Sequence, residues 1–211
     1  MSAVSERVSL AVARELADEL VDLIGSSCEQ VYVCGSIRRQ QPTVGDIDIV
    51  AVPMLAPATD MFGGLTGYVN LLNFRLDDLC GQQLLRQGRR ADGRLAGWGP
   101  RLRCAVYGDL RVQVQSVEAD VLGMWIVIRT GPADYAHAFV TPSGTSAGIR
   151  NTEGVVTDYR PGLLPPGFSV ERSPEHGGFR LHRAHLFVPT PTEASVYEAL
   201  GRPYIPPEER R

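Results

Sequence analysis

Between two apolar runs, VYVC at 31–34 and IDIVAV at 47–52, the chain places GSIRRQQPTVGD. This arrangement restricts the fold more than any other part of the sequence. Both runs are rich in β-branched residues and too short for helices, so each reads as a strand, with a Gly-, Pro- and Arg-containing connection between them. Side chains two apart on a strand share a face. Asp46 and Asp48 therefore project side by side, while Ile47 and Ile49 point into a core. Two adjacent carboxylates suit a hard divalent cation, since Mg²⁺ takes one or two from protein and completes its shell with water and phosphate. Upstream, Gly35-Ser36 can form a tight turn whose N–H groups and hydroxyl face an anion, and Arg38 and Arg39 add forked donors. Neither Asp-x-Asp nor Gly-Ser is informative alone. The spacing of the two between apolar strands makes them a candidate phosphate-and-metal site.

The flanking segments supply the rest of a sheet. From Ser5 to Gly25, apolar Val8, Val12, Leu16, Leu20 and Ile24 recur every four positions, with Ser5 as N-cap, Glu6 in the first turn and Gly25 at the end. That pattern predicts an amphipathic helix. A second helix is expected over about 69–88. RLRCAVY and DLRVQVQSV predict a hairpin folded at Gly108-Asp109. ADVLGMWIVIR fits helix or strand by pattern. From Pro132 onward the chain shifts toward Gly, Pro, Ser and Thr, which predicts a smaller, loop-rich lobe, with a boundary near residue 118.

Net charge is −3 with pI about 5.8, so any nucleic-acid contact must come from a local patch. The 21 basic residues are all arginine. GC-rich coding accounts for that, with the side effect that every basic site can fork onto phosphate. LRQGRRADGRLAGWGPRLR (85–103) concentrates Arg86, Arg89, Arg90, Arg94, Arg101 and Arg103 against Asp92 alone. It reads either as a solvated loop or as a strand-tracking surface on which Trp98 could stack a base. Cys28, Cys34, Cys80 and Cys104 lack metal or secreted-framework spacing and are expected as reduced thiols. His182 and His185 lack a ligand set at zinc spacing and are expected as ordinary strand residues. Charged residues throughout the first thirty positions exclude a signal peptide, and no apolar run is long enough to span a membrane. A cytoplasmic monomer is expected.

GSIRRQQPTVGDIDIV resembles the signature of family X DNA polymerases, within the polymerase-beta-like nucleotidyltransferases. VYEALGRPYIPPEERR resembles that family's thumb ending, and RTGP (129–132) lies where the family places Thr-Gly-Ser beside the incoming sugar. The resemblance implies an α+β fold, a nucleotidyltransferase palm (mixed β-sheet with helices on one face) over 1–117 and a thumb-like lobe over 118–211. It implies that Asp46 and Asp48 hold Mg²⁺ or Mn²⁺. Gly35, Ser36, Arg39 and Gly45 would meet the triphosphate, with Arg129, Thr130 and Gly131 near the nucleotide. The implied partners are a nucleoside triphosphate and a DNA or RNA end, with Arg86, Arg89, Arg90 and Arg94 as candidate backbone contacts. Only thirty residues precede VYVCGS, so the lyase and helix-hairpin-helix modules of repair members are not expected.

One position departs from the pattern. The family mechanism needs a third carboxylate seventeen residues before the Thr of Thr-Gly, and counting back from Thr130 gives Gln113. An amide carries an acceptor oxygen but no charge, and cannot take a proton from a hydroxyl. Asp109 has the right parity but lies four residues away, roughly 13 Å along a strand. Glu118 has the wrong parity. The leading expectation is nucleotidyl transfer to a 3′-hydroxyl, weakened at Gln113. The alternative is a catalytically inactive relative that binds nucleotide or nucleic acid. Transfer to a small molecule or a protein fits a bare palm but leaves the thumb-like ending unexplained.

Overall fold

The computed structural model describes residues 7–89, 93–150, 156–173 and 178–210. It is an α+β architecture that divides by packing into two units, 1–33 with 42–116, and 34–41 with 117–211. The sequence reading had kept 34–41 with the N-terminal lobe. The structure groups that segment with the C-terminal unit, because its side chains bond there.

In the first unit, β1 (Val8–Ser9) leads directly into α1 (Leu10–Gly25). The N-cap is Ser9, whose Oγ accepts from Val12 N, and Val8 pairs with Val44 in β3 (Thr43–Val44). The expected N-cap at Ser5 is thus corrected by four residues, and Ser5 and Glu6 lie outside the described residues. The buried positions are Ala13, Ala17, Leu20 and Ile24, while Val12 is 44% exposed. Steps of four advance a helix by about 400°, so a strict four-residue stripe drifts roughly 40° per step and leaves the buried face. The two alanines carry the N-terminal half of that face instead.

After β2 (Cys28–Val33) and the four-residue turn α2 (Gly35–Arg38) of the other unit, β4 (Asp46–Pro53) returns antiparallel to β2. β5 (Leu55–Thr59) and β6 (Leu65–Asn70) then form a hairpin that the sequence reading did not foresee. Its turn is built by Asp60, whose Oδ1 accepts from Phe62 N and Gly64 N, each at 2.8 Å, leaving Phe62 88% exposed. α3 runs Leu71–Gly81, shorter than the expected 69–88 at both ends. Val69 and Asn70 belong to β6, and Gln83 enters the left-handed region before β7 (Arg86–Gln87). β8 (Leu102–Tyr107) and β9 (Leu110–Ser116) form the expected hairpin, Tyr107 opposite Leu110 across Gly108-Asp109. The sheet order is β2-β4-β9-β8-β7, and β4 and β9 run parallel. α1 packs on β2 and α3, and Arg75 of α3 donates to Leu23 O at 2.8 Å.

In the second unit the ambiguous segment is helical: a single 3₁₀ turn, Ala119–Val121, then α4 (Leu122–Thr130). α5 (Ala133–Phe139) follows. The stretch expected to be loop-rich contains two hairpins, β10 (Ser146–Arg150) with β11 (Val156–Pro161), and β12 (Phe168–Ser173) with β13 (Gly178–Arg183), the latter extended by β14 (Leu186–Phe187). α6 (Glu193–Ala199) begins with a capping box between Thr192 and Ser195. Met124, Val127, Tyr135, Phe139, Leu164, Leu181, Val196 and Tyr197 form the core, with the Tyr135 and Tyr197 hydroxyls 2.9 Å apart. All four cysteines are free thiols, and burial pushes the Cys28 pKa up to about 11. No described helix is long and apolar enough to cross a membrane.

Gly123 holds α4 against the start of α6. Its N–H donates to Thr190 O at 2.8 Å, and a Cβ there would lie 1.9 Å from Thr192 O. Gly123→Ala is expected to lower stability by about 1–3 kcal/mol or more, since backbone cannot yield as a side chain would. A urea unfolding curve reads this directly, and an unchanged midpoint would contradict so close an approach.

Candidate active site

The alternation in β4 and β9 sorts the sheet faces. Ile47, Ile49, Val112 and Val114 are buried, whereas Asp46, Asp48 and Gln113 are half-buried and Arg111 is exposed. In the parallel register Asp46 is the partner of Arg111, and Asp48 of Gln113. Paired residues point to the same side, so these four share one face. Gln113 thus stands where the third carboxylate was expected, and neither acid weighed as a substitute reaches it. Asp109 occupies the β8–β9 turn. Glu118 belongs to the other unit, 2.6 Å from Arg180 Nη2. No group of three or more His, Cys, Asp or Glu at metal-binding spacing occurs among the described residues. Gly45 sits between β3 and β4, nearest the Arg7 side chain.

The Gly-Ser turn lies in the second unit. Gly35 adopts φ +63°, a conformation that disfavours any side chain, and opens α2. The Ser36 Oγ is buried and has no hydrogen-bond partner among the described residues. Buried hydroxyls are paired in the great majority of proteins, so this one is available to a water or a ligand oxygen. Arg39 directs Nη1 at the Thr130 carbonyl. Arg38 does not serve the anion as expected. Its fork is taken by Glu193, with Nη1 to Oε1 at 3.0 Å and Nη2 to Oε2 at 2.6 Å, and Nη1 also reaches Thr130 Oγ1 at 3.2 Å. Thr130 is fully buried and meets Arg38 and Arg39. Arg129 lies over the Trp125 ring, 5.7 Å from its centroid, and Gly131 closes α4 through Val127 O.

The arginine-rich segment divides in two. Arg103 is buried and forms an ion pair with Asp77, which also accepts from Trp98 Nε1 at 2.9 Å. The Arg103 guanidinium covers Trp98 at 4.7 Å, so this ring is held intramolecularly. The hydrogen bond from Arg103, with that from Trp98, outweighs burial and holds the Asp77 carboxyl below its ordinary range. Arg86, Arg89 and Arg94 are exposed. Arg86 donates to Gly108 O at 3.1 Å and Arg89 to Gly93 O at 2.8 Å, both neutral acceptors. Arg90 and Asp92 lie outside the described residues. His182 bonds Arg180 O through Nδ1, and His185 occupies the tight β13–β14 turn.

Two comparisons with known proteins bear on the chain as a whole. The model of the DNA polymerase beta thumb matches residues 172–211. DNA polymerase lambda of Rattus norvegicus is 26% identical over 217 aligned positions, which cover 93% of this chain. Both comparisons make the chain similar to family X DNA polymerases. It spans about a third of the length of that curated relative, 32%.

What the sequence reading missed is the partner of Arg38. Glu193 follows the N-cap of α6, where a carboxylate suits the helix dipole, and that local signal masked its second role. Burial raises the Glu193 pKa, but the hydrogen bonds and charges of Arg38 and Arg210 outweigh it and hold the carboxyl below its ordinary range. A depressed carboxyl pKa contributes stability that is present above the unfolded value, about 4.3, and is lost as pH falls through the lower folded value. The wild type is therefore expected to lose stability more steeply below about pH 4 than Glu193→Gln, which has no proton to gain there. Parallel acid slopes in chemical unfolding would show that the pair does not couple to folding.

Proposed function

We propose that the chain is a metal-dependent nucleotidyltransferase of the family X polymerase type, transferring a nucleotide from a nucleoside triphosphate to a DNA or RNA 3′-hydroxyl. The observation that carries this reading is the β4–β9 register, which sets Asp46, Asp48 and Gln113 on one face. The buried, unpartnered Ser36 hydroxyl supports it. In this reading 1–117, apart from 34–41, is the palm, and the C-terminal unit is the thumb.

The donor set fits one divalent ion. Asp46 and Asp48 would supply two carboxylates, and phosphate and water the rest. Bound there, Mg²⁺ or Mn²⁺ would neutralise developing charge on the attacking and leaving oxygens. A second ion would find an amide where the third carboxylate is needed. Ser36, the N–H groups of the Gly35-Ser36 turn and the Arg39 guanidinium would bind phosphate oxygens. Gln113 can accept a hydrogen bond from the primer hydroxyl and orient it, but cannot take its proton. Gln113 also favours the second reading, a nucleotide- or nucleic-acid-binding protein without catalysis. Arg86, Arg89 and Arg94 are the described candidates for the acceptor's backbone.

Calorimetry with a nucleoside triphosphate and Mg²⁺ tests the assignment. Metal-dependent affinity is expected for the wild type and its loss in the Asp46→Ala, Asp48→Ala double variant, and unchanged affinity would sink the site. In a primer-extension assay, Gln113→Asp is expected to raise the rate by a factor on the order of 10² or more, as for restoring a positioned base. Equal rates would mean that another acid completes the site, and no extension by either would favour the binding reading. Neutralising Arg86, Arg89 and Arg94 together is expected to weaken nucleic-acid binding for all sequences alike and flatten its salt dependence. A full salt slope in that variant would make the segment ordinary surface.

A further inference from the structure

Glu193 is 8% exposed, and its carboxylate receives four donors. Besides the Arg38 fork, Oε1 accepts from Arg210 Nη1 at 2.6 Å and Oε2 from the Tyr204 hydroxyl at 2.9 Å. Four lone-pair sites are all that a carboxylate offers, so the group is saturated. Arg210 is itself fixed: Nε and Nη2 donate to Ile205 O at 3.0 and 2.8 Å, and the guanidinium lies 5.6 and 5.7 Å from the Tyr197 and Tyr204 ring centroids. The last turn of the chain thus closes over Glu193 and leaves its oxygens one way to face Arg38.

α2 needs such an anchor. It has four residues, flanked by positive φ at Gly35 and Gln40, and its first backbone bonds are long, Arg38 N to Cys34 O at 3.4 Å and Arg39 N to Gly35 O at 3.2 Å. A helix of one turn does not persist alone, because nucleation costs more than one turn returns. The bonds from Arg38 to Glu193 and Thr130, and from Arg39 to Thr130, therefore impose its shape.

We propose that Glu193, locked by Arg210 and Tyr204, is the positioning residue of the Gly35-Ser36 turn, holding the Ser36 hydroxyl in its ligand-ready orientation through Arg38. The positioning stands on the contacts alone, and its consequence for a phosphate ligand rests on the nucleotidyl-transfer reading above. The residue acts at a distance from any ligand, since Arg38 stands between.

Amide hydrogen exchange in the full chain tests the positioning. In Glu193→Gln, Arg38→Lys and Tyr204→Phe, exchange over residues 34–41 is expected to rise by about tenfold or more in the first two, as when a charge-assisted hydrogen bond is lost, and less in the third. Exchange in the β12–β13 hairpin of the same unit should stay as in the wild type, which a general loss of stability would not allow. If Glu193→Gln does not fold, Arg38→Lys and Tyr204→Phe decide. Unaltered exchange over 34–41, or a rise spread evenly over the unit, would overturn the proposal. Inorganic tripolyphosphate is the ligand probe. Its affinity is expected to fall in the same order as exchange rises. Equal affinity in variants with a loosened turn would overturn the link to the ligand, and a wild type that does not bind tripolyphosphate would overturn the phosphate reading while leaving the exchange result to judge the positioning.

Discussion

The placement of the Gly-Ser turn depends on an ion pair, Arg38 with Glu193. Burying a carboxylate costs several kcal/mol, and an isolated pair seldom recovers it. Here the cost is offset by saturation, because each Glu193 oxygen has two donors and Arg38 has a third acceptor in Thr130. Removing Glu193 would leave the Arg38 and Arg210 guanidiniums without their shared carboxylate. The network therefore specifies a conformation more than it adds stability, and what it specifies is the backbone of residues 35–38. Arg38 gives up its fork to do this, while Arg39 bonds the Thr130 carbonyl beside it.

A second constraint, the parallel β4–β9 register, acts on the other unit independently. It sets two carboxylates, one guanidinium and one amide on the same face, a formal charge of about −1 where a third acid would make −2. A dication is held less strongly by such a face, and a polyanion is repelled less. Under the function proposed above, Gln113 would shift the balance from holding metal toward admitting phosphate, so both readings of the function share the same residues.

The placement of the candidate residues was legible in the sequence wherever it rests on parity and turn geometry. Asp46 and Asp48 share a face because any strand alternates. The β8–β9 turn falls at Gly108-Asp109 because two residues with glycine first close a hairpin. Gln113 meets Asp48 because both strands keep their register. Contacts distant in sequence were not legible. Arg38 and Glu193 lie 155 positions apart, and no local pattern links them. The β5–β6 hairpin was missed because Asp60 builds its turn through side-chain bonds to Phe62 and Gly64. The N-terminal half of the α1 face was misread because alanine contributes burial with little hydrophobic signal.

The all-arginine composition has a different meaning once the partners are known. A guanidinium fork matches carboxylate as well as phosphate, and several arginines are committed inside the protein: Arg38 and Arg210 to Glu193, Arg103 to Asp77, Arg180 to Glu118. Three carboxylates offset most of the charge of these four guanidiniums, so counting arginines overstates the field available to a polyanion. Arg86 and Arg89 differ in kind. Both are exposed, and the bonds described for them go to backbone carbonyls, which hold the side chain without neutralising it. Among the described residues these two guanidiniums are thus oriented by neutral acceptors, and that, rather than the density of arginine along residues 85–103, is what the nucleic-acid contact proposed above rests on.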